Sequence, residues 1–96
     1  MKITRLNGLT TCQRVEGDLI ARLPDLSQVV FIEDRGMVGF IMCAENVTDD
    51  TLHGVKPFFH SPEDAIRIGM AYIRAGRDAM RDREAQELCA QEVSDG

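Results

Sequence analysis

Apolar residues follow a helical period most clearly in one stretch, from Ser61 to about Met80. Ala65, Ile66, Gly69, Met70, Ile73, Gly76 and Met80 recur every three or four residues, while Arg67, Arg74, Asp78 and Arg81 fall away from them. That spacing predicts a helix with one dry stripe and one wet flank. Its start is marked by Ser61 as N-cap, Pro62 at the first helical position, and Glu63 and Asp64 in the first turn, where carboxylates favour the positive end of the helix dipole. Past Met80 the apolar stripe stops at Arg81-Asp82-Arg83-Glu84, but charges three and four apart, such as Arg74 with Asp78, continue to support a helix to about residue 90. A helix over 62–90 is about 43 Å long, against roughly 30 Å for a domain of this size. Either it overhangs or a second subunit covers Leu88 and Cys89 in a homodimer built through this helix.

Before the helix the period shortens to that of strands. Ile3 to Leu6 and Leu9 to Cys12 flank Asn7-Gly8, a pair suited to a type I′ turn, and predict a β-hairpin. Residues 19–23 fit either a short helix capped by Asp18 or a strand, and the extended geometry imposed on Leu23 by Pro24 favours the strand. Gln28 to Glu33 and Met37 to Cys43, joined by Asp34-Arg35-Gly36, form the clearest hairpin. Both arms are apolar at consecutive positions, which predicts the sheet centre with at least one face under the helix. Gly39 marks a bulge or a close approach of the helix backbone. Residues 46–54 are polar and predict a surface loop, and Val55 to Phe59 predict an edge strand limited by Pro57. The expected fold is therefore α+β: an antiparallel sheet of two hairpins packed against one long C-terminal helix, one domain over 1–92, with 93–96 disordered.

The totals fit that picture. At 96 residues, 44% apolar and 28% charged, the chain has room for one modest core. Its longest uncharged apolar run, Met37 to Ala44, is of strand length, and the N-terminal Met1-Lys2-Ile3-Thr4-Arg5 does not have a signal-peptide pattern. A cytoplasmic protein is expected. Cys12, Cys43 and Cys89 are far apart and odd in number, which suits reduced thiols. The net charge is -5, with four bases and two acids in 1–23, two bases and six acids in 24–60, and five bases and eight acids in 61–96. Such a field disfavours direct contact with nucleic acid and favours a basic protein surface.

Catalytic patterns are not visible. No cysteine has a sequence neighbour suited to activating its thiol, His53-x6-His60 matches no common ligand spacing, and no Gly-rich loop enters the helix. Glu33-Asp34 at a hairpin tip reads as a solvated turn rather than an acid/base pair. No enzyme activity, metal or cofactor is expected. Two charged features remain. Glu33, Asp34, Glu45, Asp49, Asp50, Glu63 and Asp64 fall in loops and at the helix start, where one shared end would present a concentrated acidic surface to a basic partner. Arg67, Arg74, Arg77 and Arg81 run along one helix flank, as a phosphate-tracking stripe would, although Asp78, Asp82 and Glu84 interrupt it. For both, a solvated surface is the plainer account.

The run Glu33-Asp34-Arg35-Gly36-Met37-Val38-Gly39-Phe40, followed by Phe58-Phe59-His60-Ser61-Pro62-Glu63-Asp64-Ala65-Ile66, resembles small phage and mobile-element proteins in its hairpin, edge strand and helix start. The layout is similar to some anti-CRISPR proteins, and also to antitoxin domains of the HicB type, over residues 31–75. The first likeness implies a non-enzymatic inhibitor whose acidic end blocks a basic nucleic-acid groove of a CRISPR surveillance complex. The second implies a small regulator or antitoxin, for which the Arg67, Arg74, Arg77 and Arg81 flank, read from its spacing, is the candidate nucleic-acid contact. Neither assigns a role to a single matched residue.

Overall fold

The structure, a computed structural model, describes the backbone of residues 1–94 and the side chains of 1–17 and 22–88. The fold is α+β, with an antiparallel four-stranded sheet and a long C-terminal helix. In chain order the elements are β1 (Lys2–Leu6), β2 (Cys12–Val15), β3 (Asp18–Arg22), a 3-10 turn (Pro24–Leu26), β4 (Gln28–Asp34), β5 (Met37–Cys43), α1 (Asp49–His53), β6 (Phe59–His60) and α2 (Pro62–Ser94). The chain divides into two compact units, Met1–Pro62 and Glu63–Gly96.

In the first unit β4 is central. It pairs with β1 on one side and β5 on the other, in the order β1-β4-β5-β6, while β2 and β3 form a separate two-stranded ribbon. Alternate β4 side chains, Gln28, Val30 and Ile32, point inward and are buried, as the two-residue period of a strand dictates. Ile3, Ile41, Cys43 and Val47 pack against Val30, Ile32 and the buried Leu52. Phe31 and Phe40, directly opposite in register, lie on the other face with ring centroids 6.3 Å apart and a tilt of 47°.

Both hairpins turn on two residues with positive φ, as type I′ geometry requires. At Arg35-Gly36 the angles are 54° and 76°, and this β4–β5 hairpin is the one expected from sequence. At Glu16-Gly17 they are 52° and 94°, joining β2 to β3, so residues 18–22 are indeed a strand. The hairpin expected across Asn7-Gly8 does not form. Only Gly8 of that pair has positive φ, its amide donates to Glu45 Oε1 at 2.8 Å, and the Leu9 amide donates to the Ser27 carbonyl at 2.8 Å. Those bonds carry the chain away from a tight reversal, and β1 pairs with β4 instead, Ile3 opposite Ile32.

The loop expected over 46–54 contains α1. Thr48 caps it by accepting from the Thr51 amide at 3.4 Å, and Leu52 is driven into the core. One apolar residue within Asp49–His53 is too little periodicity to announce a helix, yet Leu52 is one of the three buried hydrophobic side chains among the described residues. The edge strand expected at Val55 to Phe59 is shorter and later, Phe59–His60, pairing with Val38 and Gly39. Gly39 does mark a close approach, but of the Phe58 carbonyl rather than the helix: a Cβ there would stand 2.7 Å from that oxygen.

The second unit is α2, 33 residues from Pro62 to Ser94 and about 50 Å long. It runs past the expected end near residue 90. Of the tail expected at 93–96, residues 93 and 94 close the helix, and 95 and 96 lie outside the described residues. The largest correction concerns its apolar stripe. Expected to be dry, it is exposed, with Ile66 at 64%, Met70 at 65% and Ile73 at 55%. Ala65 is half-buried, and nothing stands within 4 Å of where a Cβ would sit on Gly69 or Gly76.

The contact at Gly39 yields a test. Gly39→Ala drives a methyl into a backbone oxygen that cannot swing aside, and lowers the unfolding free energy by about 2 kcal/mol in thermal melts. Gly54→Ala, whose nearest neighbour would be the Thr51 carbonyl at 3.6 Å, serves as the tolerant control.

Candidate functional site

The chemistry-bearing side chains of the first unit gather around Gln28, which is 1% exposed. Arg5 Nη1 donates to Gln28 Oε1 at 3.1 Å and to the Val47 carbonyl at 2.9 Å, and Arg5 Nη2 pairs with Asp49. The Cys43 thiol donates to the same Gln28 oxygen at 3.2 Å, and Gln28 Nε2 donates to Asn7 Oδ1. Among the described residues every buried side-chain polar atom has a partner. The cluster therefore ties β1, β4, β5 and the start of α1 together, its buried polar atoms bonded to one another. Cys43 is half-buried, with its thiol against the Gln28 carboxamide. Cys12 is exposed on β2, and the side chain of Cys89 lies outside the described residues. His53 ends α1 and His60 ends β6, both exposed. Among the described residues no three His, Cys, Asp or Glu side chains are grouped as a metal site would need, and no helix is long and apolar enough to cross a membrane.

The seven acids are distributed over several places. Glu33 and Asp34 sit at the turn end of the β4–β5 hairpin, where Glu33 pairs with Lys2 at 3.6 Å. Glu45, Asp49 and Asp50 sit past the other end of β5. A seven-residue strand separates the two groups by about 20 Å. Glu45 and Asp49 are also engaged internally, by the Gly8 amide and by Arg5. Glu63 and Asp64 occupy the first turn of α2 in the other unit, with Asp64 3.3 Å from Arg67. Within the first unit the acids thus form two ends rather than one.

The arginines are brought together. Arg67, Arg74, Arg77 and Arg81 project from one side of α2, with Met70 and Ile73 beside them and Asp78 among them. Arg81 pairs with Asp78 and Arg67 with Asp64, each across a single helical turn. Such exposed pairs contribute at most about 1 kcal/mol each and leave the guanidinium groups accessible.

What the sequence did not suggest is the amount of uncovered apolar surface. Besides the α2 stripe, the outer sheet face exposes Leu6, Phe31, Phe40 and Met42. The signal was present in both arms of the β4–β5 hairpin, which are apolar at consecutive positions and therefore place apolar groups on both faces. No protein-family model, curated protein or solved structure matches this chain.

Gln28 is the residue on which the polar cluster depends. Gln28→Ala strands the Arg5 and Asn7 groups and reduces stability by about 2 kcal/mol. Urea unfolding measures it, and an unchanged midpoint would show that water replaces the carboxamide without cost.

Proposed function

We propose that this chain is a non-enzymatic binding protein that acts through protein contacts, with the exposed apolar face of α2 as its main contact surface. One observation carries the proposal: Ile66, Met70, Ile73 and Met80 share a stripe and are all more than half exposed. Apolar groups aligned and rimmed by charge in this way mark interaction sites on small proteins, where isolated exposed side chains do not. The Gln28 cluster supports the non-enzymatic part, because its polar groups are spent on one another. A net charge of -5 suits a partner with a basic surface, the class that includes a nucleic-acid groove closed by a protein inhibitor.

A second reading, a regulator that meets nucleic acid through α2, is favoured by Arg67, Arg74, Arg77 and Arg81 projecting from one side of that helix. Asp78 among them and the absence of an aromatic residue beside them weigh against it.

Affinity capture from the source organism's lysate tests the first reading. The wild-type chain retains a specific protein, and Ile66→Asp with Ile73→Asp loses it while circular dichroism stays unchanged; retention by the double variant would remove α2 as the surface. Gel shifts at low and high salt test the second. Phosphate contacts through four arginines cost about a hundredfold or more in affinity between 50 and 200 mM salt, and binding with a flat salt response would dismiss them.

A further inference from the structure

Asn7-Gly8 is the one Asn-Gly pair in the chain, and both of its members are bonded to residues far off in sequence. The Gly8 amide donates to Glu45 Oε1 at 2.8 Å, and Asn7 Oδ1 accepts from Gln28 Nε2. Asn7, Gly8 and Glu45 are exposed, whereas Gln28 is buried. Nothing stands within 4 Å of where a Cβ would sit on Gly8, so the backbone there is open to water.

An asparagine followed by glycine carries its own electrophile and its own nucleophile, and glycine has no side chain to crowd the approach. The Gly8 nitrogen, after losing its proton to solvent base, bonds to Asn7 Cγ. The Cγ–Nδ2 bond then breaks, and the side-chain nitrogen leaves as ammonia with a proton from water. Water opens the resulting five-membered imide at either carbonyl and leaves aspartate or isoaspartate at position 7. No co-reactant other than water is consumed.

We propose that Asn7-Gly8 is a site of this spontaneous modification and that Glu45 holds it in check. The controlled step is loss of the Gly8 proton. A carboxylate that accepts the Gly8 N–H stabilises the protonated amide through the hydrogen bond, and its negative charge opposes the amide anion that has to form. The second bond acts on the electrophile. Gln28 is itself held by Arg5 and Cys43, and it ties the Asn7 carboxamide to β4, which restricts the swing of that group back onto its own main chain. Either product adds a negative charge to a chain already at -5. An aspartate still offers Gln28 an acceptor, whereas an isoaspartate inserts a carbon into the main chain between β1 and Gly8 and draws the Gly8 amide away from Glu45.

Ageing of the full chain at neutral pH, followed by peptide mapping with mass spectrometry, tests the proposal. Folded wild type is expected to convert Asn7 about tenfold or more slowly than the same chain unfolded in guanidinium chloride, the factor that follows when a neighbouring negative charge opposes an ionisation by about one pKa unit. In native buffer Glu45→Ala brings the rate close to that of the unfolded chain. Glu45→Gln, which keeps an acceptor without the charge, falls between the two. Circular dichroism establishes that each variant is folded, and if Glu45→Ala is not, Glu45→Gln carries the test alone. A wild type that converts as fast folded as unfolded overturns the proposal, and so do folded Glu45 variants that convert as slowly as the wild type.

Discussion

Burial of alternate side chains on β4 is the constraint from which the first unit follows. Val30 and Ile32 are out of water because β1 and β5 flank the strand and because Leu52 is brought over them by a five-residue helix. Gln28, on the same inward row, has to be satisfied there, and it draws Arg5, Asn7 and Cys43 into hydrogen bonds. Just past Asn7 the bonds from Gly8 to Glu45 and from Leu9 to Ser27 carry the chain away from a hairpin at Asn7-Gly8. A core of three fully buried apolar residues among those described is small for a chain of 96. Much of the remaining apolar surface is left outside it.

That surplus connects architecture to function. Consecutive apolar residues on β4 and β5 supply one face to the core and a second, with Phe31 and Phe40, to the outside. The stripe on α2 is likewise uncovered. Exposed apolar area of this kind costs free energy in water at about 25 cal/mol per Å² and is recovered when a partner covers it. In the proposed association the charged residues would bear more on which partner is accepted than on how tightly it is held.

Elements whose signal lies in their own residues were legible in sequence. The α2 start at Ser61-Pro62-Glu63-Asp64 and the β4–β5 hairpin around Arg35-Gly36 are local events, and both occur where expected. The β1 partner was not legible, because Asn-Gly favours a tight turn locally while the bonds from Gly8 to Glu45 and from Leu9 to Ser27 are long-range. Leu52 gave too little periodicity to be recognised as core. The helical stripe was read correctly as a stripe and wrongly as buried, since periodicity reports which residues share a face and not what lies against it. For the charged residues, the arginine flank followed from seven-residue spacing on one helix, whereas convergence of the acids depended on the sheet ends, which sequence separation does not encode.

The central claim is that the apolar face of α2 is solvated in the lone chain and becomes covered by association. Hydrogen exchange followed by mass spectrometry, over a range of protein concentrations, reads this directly. Amides of residues 66–88 should exchange quickly in dilute solution and slow as concentration rises, while those of β4 stay protected throughout. Protection of 66–88 that equals that of β4 at every concentration would mean the face is already covered within one chain, and would contradict the account.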